Sequence, residues 1–186
     1  GDVFGAVQIR APRPAGCRGR AAPDHEPGSR HRGAAPDGSA RVVAEEMAIP
    51  NGSVITPDGR ILIVAESRGH ALTAFDISPD GSLSNRRLFA EVGEHVPDGI
   101  CLDAEDAVWV GSPTTSEFFR VRQGGEVTHR IPTMGRYAVD CCLGGGDGKT
   151  LFLCVAETSG PQLAKSISKG WIYTTRVDVP APASPL

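Results

Sequence analysis

The chain has 186 residues, of which 40% are hydrophobic and 22% charged, with a formal net charge of −3. That length and balance fit one soluble globular domain or a piece of one. The slight acidity excludes a protein that works by neutralising nucleic-acid phosphates, no apolar run approaches the ~20 residues that span a bilayer, and the first residues lack the basic-then-apolar pattern of a signal peptide.

Residues 1–36 come first and stand apart. The chain begins with Gly1 rather than Met, as a processed, trimmed or incomplete product would. Six arginines face only Asp2, Asp24 and Glu26, and 22 of the 31 residues from Ala6 to Pro36 are Ala, Arg, Pro or Gly. With only Val7 and Ile9 as branched aliphatics, the stretch cannot bury enough surface to offset chain entropy, so loop or disorder is predicted over 1–36. A GC-rich gene read out of frame would give this composition, and a frameshifted segment is the favoured explanation. A basic arm on an anionic partner is the alternative.

Residues 37–179 read differently. Turn signals recur at Pro36-Asp37-Gly38, Pro57-Asp58-Gly59, Pro79-Asp80-Gly81, Gly124-Gly125 and Gly146-Asp147-Gly148. Between them lie short β-rich runs: Arg41 to Val43, Ser53 to Ile55, Ile61 to Val64, Leu72 to Phe75, Val108 to Val110, Phe118 to Val121 and Leu151 to Cys154. No run of a dozen residues carries a helical period, so an antiparallel all-β protein is predicted. Residues 180–186 form a Pro-rich tail.

The strands repeat. Pro50 to Thr56, Pro97 to Asp103 and Val139 to Gly144 each precede a turn and a second strand, and Ile55, Leu102 and Leu143 align at spacings of 47 and 41 residues. Two further strands follow each hairpin, as in Leu72–Ile77 and Asn85–Glu91. Four strands per 40–50 residues is the arithmetic of a β-propeller blade. Val54, Cys101 and Cys142 share one repeat position, which assigns the cysteines there to packing between blades as small hydrophobes. A thiol nucleophile would need an electropositive, partly exposed setting. Five cysteines without CxxC spacing exclude a disulfide framework and a zinc cluster, and free thiols point to a reducing, cytoplasmic setting.

Asn51 and Asp98 occupy equivalent places, each between Pro and Gly and just ahead of a first strand. In a propeller that position opens onto the central channel, where two oxygen-bearing side chains suit a hard cation. Read alone, Pro-Asn-Gly and Pro-Asp-Gly are ordinary turns. The third equivalent position holds Val139, with Asp140 beside it, so the third blade offers no ligand in register. His95 precedes Asp98 by three residues and reads as a solvated loop histidine; His70 and His129 carry no motif.

Ile49 to Arg60, Asp76, Gly81 to Arg87, Val96 to Glu105, Val108 to Val110 and Leu143 to Gly145 resemble the regucalcin/gluconolactonase (senescence marker protein) family from about Pro36 to Val179. The Ser84-Asn85-Arg86-Arg87 and Pro97-to-Ala104 blocks are the most specific. The resemblance implies a six-bladed β-propeller, incomplete here at about three blades plus a strand, with the blades before Pro36 missing together with a metal-binding Glu and a substrate-holding Arg and Asn. It implies hydrolysis of a small sugar-type lactone at a divalent cation, calcium first and zinc or magnesium as alternatives. Asn51 matches a metal ligand of the family, and Asp98 matches a second, which also serves as general base. Glu46 and Glu66 are not favoured as replacements for the missing ligand. Two copies would close one ring by self-association; no nucleic-acid or membrane partner is expected. The alternative is a noncatalytic fragment that binds calcium or a protein partner.

Overall fold

Apolar runs bounded by Asp-Gly turns become antiparallel strands throughout the computed structural model, which describes residues 29–34 and 40–183. A hairpin of β1 (Ser29–Ala34) and β2 (Ala40–Met47) comes first. Ser29–Ala34 is thus a strand, in place of the loop read from its composition, because its backbone pairs along β2. The rest of the disorder and frameshift reading, residues 1–28 and 35–36, lies outside the described residues.

Three sheets follow in chain order. The first is β3 (Pro50–Ile55), β4 (Ile61–Glu66), β5 (Ala71–Ile77) and β6 (Leu83–Glu91), paired in sequence. The second is β7 (Ile100–Leu102), β8 (Val108–Ser112), β9 (Glu117–Val121) and β10 (Val127–Pro132), also paired in sequence. The third has three strands, β11 (Tyr137–Gly144), β12 (Thr150–Glu157) and β13 (Lys169–Arg176), with the one-turn helix α1 (Gly160–Leu163) before the last. This is an all-β fold of successive propeller blades.

Alternation along each strand explains how the blades stack. Val108 and Val110 join Ile63, Ala65, Leu72 and Ala74 in a core between the first two blades. Trp109, one residue out of phase, faces the other way with Phe118, Leu151, Leu153 and Val155 between the second and third. Leu62, Val64 and Phe75 pack under Met47, so the hairpin covers the far side of the first blade. A strand buried on both faces reads as a continuous apolar run, and each buried aliphatic side chain contributes roughly 1.5–3 kcal/mol.

The family-specific blocks are clamps within blades. Asn85 Nδ2 and Arg87 Nη1 donate to the Asp76 carboxylate at 2.9 and 2.7 Å, tying β6 to β5. In the second blade, wholly buried Asp103 accepts from Arg120 Nε at 2.6 Å and from the backbone N–H groups of Glu105 and Ala107. The start of the Pro-rich tail is also held: Ala104 N–H donates to Pro180 O, and Ala181 N–H to Gly148 O, both at 2.9 Å.

Candidate active site on the inner strands

The inner strands β3, β7 and β11 meet through their backbones. Gly52 N–H donates to Asp98 O at 3.0 Å, and Gly99 N–H to Val139 O at 2.8 Å. This approach is why glycine stands at both places. A Cβ on Gly52 would lie 2.5 Å from Asp98 O, and one on Gly99 would collide with the Asp140 carboxylate. Neither glycine has a positive φ. The turn reading of Pro50-Asn51-Gly52 and Pro97-Asp98-Gly99 is therefore corrected: Gly52 is a strand residue, and the space between strands, not a left-handed bend, excludes a side chain.

That approach brings Asn51 and Asp98 together. Asn51 Nδ2 donates to Asp98 Oδ1 at 2.5 Å and to Ser67 Oγ at 3.3 Å. Asn51, Asp98, Asp140, Cys101 and Cys142 line one open cavity of about 450 Å³. Burial pushes the Asp98 carboxyl above the ordinary carboxylate range; the Asn51 hydrogen bond opposes this, and neighbouring Asp140 adds to it.

Asp140 is the residue the repeat undervalued. It occupies the Gly52/Gly99 position of the third blade rather than the Asn51/Asp98 position, and the β11–β12 register shifts between Ala138 and Asp140. Its side chain lies against Gly99, and Oδ1 accepts the Cys141 N–H at 2.9 Å. A carboxylate thus enters from the third blade, out of the expected register. Among the described residues, no group of three or more His, Cys, Asp and Glu side chains gathers as a metal cluster. The donors at hand are one amide and two carboxylates, an all-oxygen set that fits a hard cation such as calcium or magnesium better than zinc.

The other candidates are committed elsewhere. Glu66 ends β4, and its carboxylate is taken by Ala48 N–H at 2.6 Å, Thr73 Oγ1 at 2.5 Å and Arg86 Nη2 at 3.2 Å. Exposed Glu46 has a φ of 56°, and its carbonyl accepts from Arg86. His95 is not solvated: it is 4% exposed, stacked on Phe119, with Nδ1 2.8 Å from Thr115 Oγ1 and Nε2 3.3 Å from Arg130 Nη1. Burial, the largest effect, depresses its pKa. Cys101 packs between blades as the repeat indicated, with its Sγ 3.7 Å from that of Cys141. Cys142 does not pack between blades; it is exposed and borders the same open cavity as Asn51 and Asp98. The Cys101 hydrogen bond and burial push the Cys141 thiol well up, the opposite of an activated nucleophile.

The SMP-30/Gluconolactonase/LRE-like region profile matches residues 17–157. The chain belongs to that family. The match begins at Cys17, upstream of Pro36. The chain is 28% identical over 152 residues to the 6-deoxy-6-sulfogluconolactonase of Pseudomonas putida, covering 79% of this chain and 52% of the relative. A gluconolactonase structure from Xanthomonas campestris superposes with a TM-score of 0.56 at 31% identity, over 76% of this chain and 42% of that one. The regucalcin of Agrobacterium tumefaciens, described as a calcium-binding protein, shares the fold at a TM-score of 0.65 and 18% identity, over 80% of this chain and 52% of that one. The chain spans about half the length of the curated relatives it matches. Among the described residues no helix is long and apolar enough to cross a membrane.

Proposed function

We propose that this chain carries part of a cation-dependent hydrolase of small sugar-type lactones, with Asn51, Asp98 and Asp140 as the residues that would hold the cation. The contact between Asn51 and Asp98 across two blades carries the reading, because it places an amide and a carboxylate on the inner strands of a gluconolactonase-family fold. A divalent cation, calcium first, would polarise the lactone carbonyl and lower the pKa of water beside it.

The chain's own groups supply the rest. Asp98 would accept a proton from water as the water oxygen bonds to the lactone carbonyl carbon. The ring C–O bond then breaks, the ring oxygen takes the proton back, and the product is the open hydroxy acid. Asn51 holds the Asp98 carboxylate through Nδ2, leaving Oδ1 as the donor toward the cation. Free thiols at Cys101, Cys141, Cys142 and Cys154 favour a reducing compartment such as the cytoplasm.

Acid release from glucono-δ-lactone in added calcium tests the reading. Turnover by the wild-type chain and its loss in Asp98→Asn is the expected result; equal rates in both would contradict it. The second reading is a noncatalytic cation-binding propeller piece, which the all-oxygen donor set of Asn51, Asp98 and Asp140 would equally serve. Calcium binding without lactone turnover would select it.

A further inference from the structure

We infer that Ser67 is a positioning residue that fixes which end of the Asn51 amide faces the cation site, an inference that rests on the cation reading above. Ser67 follows directly on β4, is 9% exposed, and touches both halves of the site. Its hydroxyl donates to Pro97 O at 2.7 Å, one residue before Asp98. That commits its single proton, so Ser67 Oγ can only accept from Asn51. The group facing it must then be Nδ2, which lies 3.3 Å away. Asp98 Oδ1 makes the same demand on the other Nδ2 hydrogen. A flipped amide would set Oδ1 against a carboxylate and against a hydroxyl with no proton to offer. The amide therefore has one orientation, and its oxygen is the end left over.

Ser67 also holds the segment that carries Asn51. Its N–H donates to Ile49 O at 3.0 Å, beside an Arg68 N–H bond to Ala48 O at 3.0 Å. Ile49 has a φ of 57°, a left-handed conformation that a β-branched residue before proline resists. The tie is thus placed where the backbone would otherwise relax. One serine links the Asn51 strand by main chain, the Asn51 amide by Oγ and the Asp98 segment through Pro97. Ser112 is the useful contrast: its Oγ accepts the Val96 N–H at 3.2 Å but touches neither Asn51 nor Asp98.

Two readouts on the full-length chain test this. The first is the pair of Asn51 side-chain amide proton resonances in the metal-free protein. Wild type and Ser67→Thr are expected to show two distinct signals protected from exchange; Ser67→Ala should lose the protection, and Ser112→Ala should keep it. Ser67→Cys, which keeps volume and weakens the donor, serves in place of alanine if that variant does not fold. Unchanged Asn51 signals on loss of the hydroxyl overturn the inference whether or not calcium binds. The second is calcium affinity by calorimetry, which should fall about tenfold or more in Ser67→Ala. In an Asn51→Asp background the same change should have little effect, because either carboxylate oxygen serves. An equal loss in both backgrounds would overturn the orientation role. If the wild-type chain binds no calcium while Ser67→Ala frees the amide signals, the cation reading fails and the Ser67 assignment stands.

Discussion

Pro57-Asp58-Gly59 and Pro97-Asp98-Gly99 are the same three residues in two places with opposite physics. In the first, Gly59 has a φ of 72° with open space around it, and its N–H closes a turn on Thr56 O at 2.8 Å. Asp58 is exposed; the Thr56 hydroxyl at 2.6 Å and the Arg60 N–H hold its carboxyl below the usual range. In the second, Gly99 lacks a positive φ and is pressed between inner strands, while burial pushes Asp98 up. A tripeptide specifies a bend only when nothing else packs on it; tertiary contact decides the rest.

The largest effect marks the far end of this scale. Asp103 is wholly buried against Arg120, so Asp103→Ala leaves a buried guanidinium without its main partner and should cost about 3–5 kcal/mol in urea unfolding. Next come the glycines. Gly52→Ala meets the backbone of Asp98, Gly99 and Ile100 and should cost about 3 kcal/mol, since a strand cannot yield as a side chain does. Gly59→Ala faces only the left-handed φ and should cost about 1–2 kcal/mol. Gly59→Asn should recover much of that, because Asn tolerates the conformation; Gly52→Asn should recover nothing.

A smaller effect follows from pH. The segment ahead of Asp98 carries buried His95, with Glu117, Arg130 and Glu94 near it, whereas the turn at Asp58 has no such group. Because burial depresses the His95 pKa, folding disfavours its protonation. No cost exists above the ordinary value near 6.5, and stability falls as pH drops through that value toward the folded one. Melting curves from pH 7.5 to 5 should show this loss in wild type and not in His95→Gln. Smallest of all, Asp58→Ala should lower the melting temperature slightly through the lost turn bonds.

Much of the fold was legible because blades repeat. The alternation of Val108, Trp109 and Val110 and the recurrence of Asn51 and Asp98 are local patterns, and both predicted site residues meet across the inner strands. Asp140 was discounted because alignment compares positions, while a register shift in β11 and a glycine opposite let a neighbouring position reach the same space. Ser67 carried no signal: its role depends on one hydroxyl that donates to Pro97 and accepts from Asn51, joining segments distant in sequence. His95 looked solvated because burial by Phe119 and Thr115 is set by a second blade.

The most direct test is calcium titration calorimetry on the purified chain beside Asp98→Ala and Asp58→Ala. Saturable binding that Asp98→Ala abolishes and Asp58→Ala leaves intact is the predicted result. Equal heats in wild type and Asp98→Ala, or none in wild type, would contradict a cation site on the inner strands.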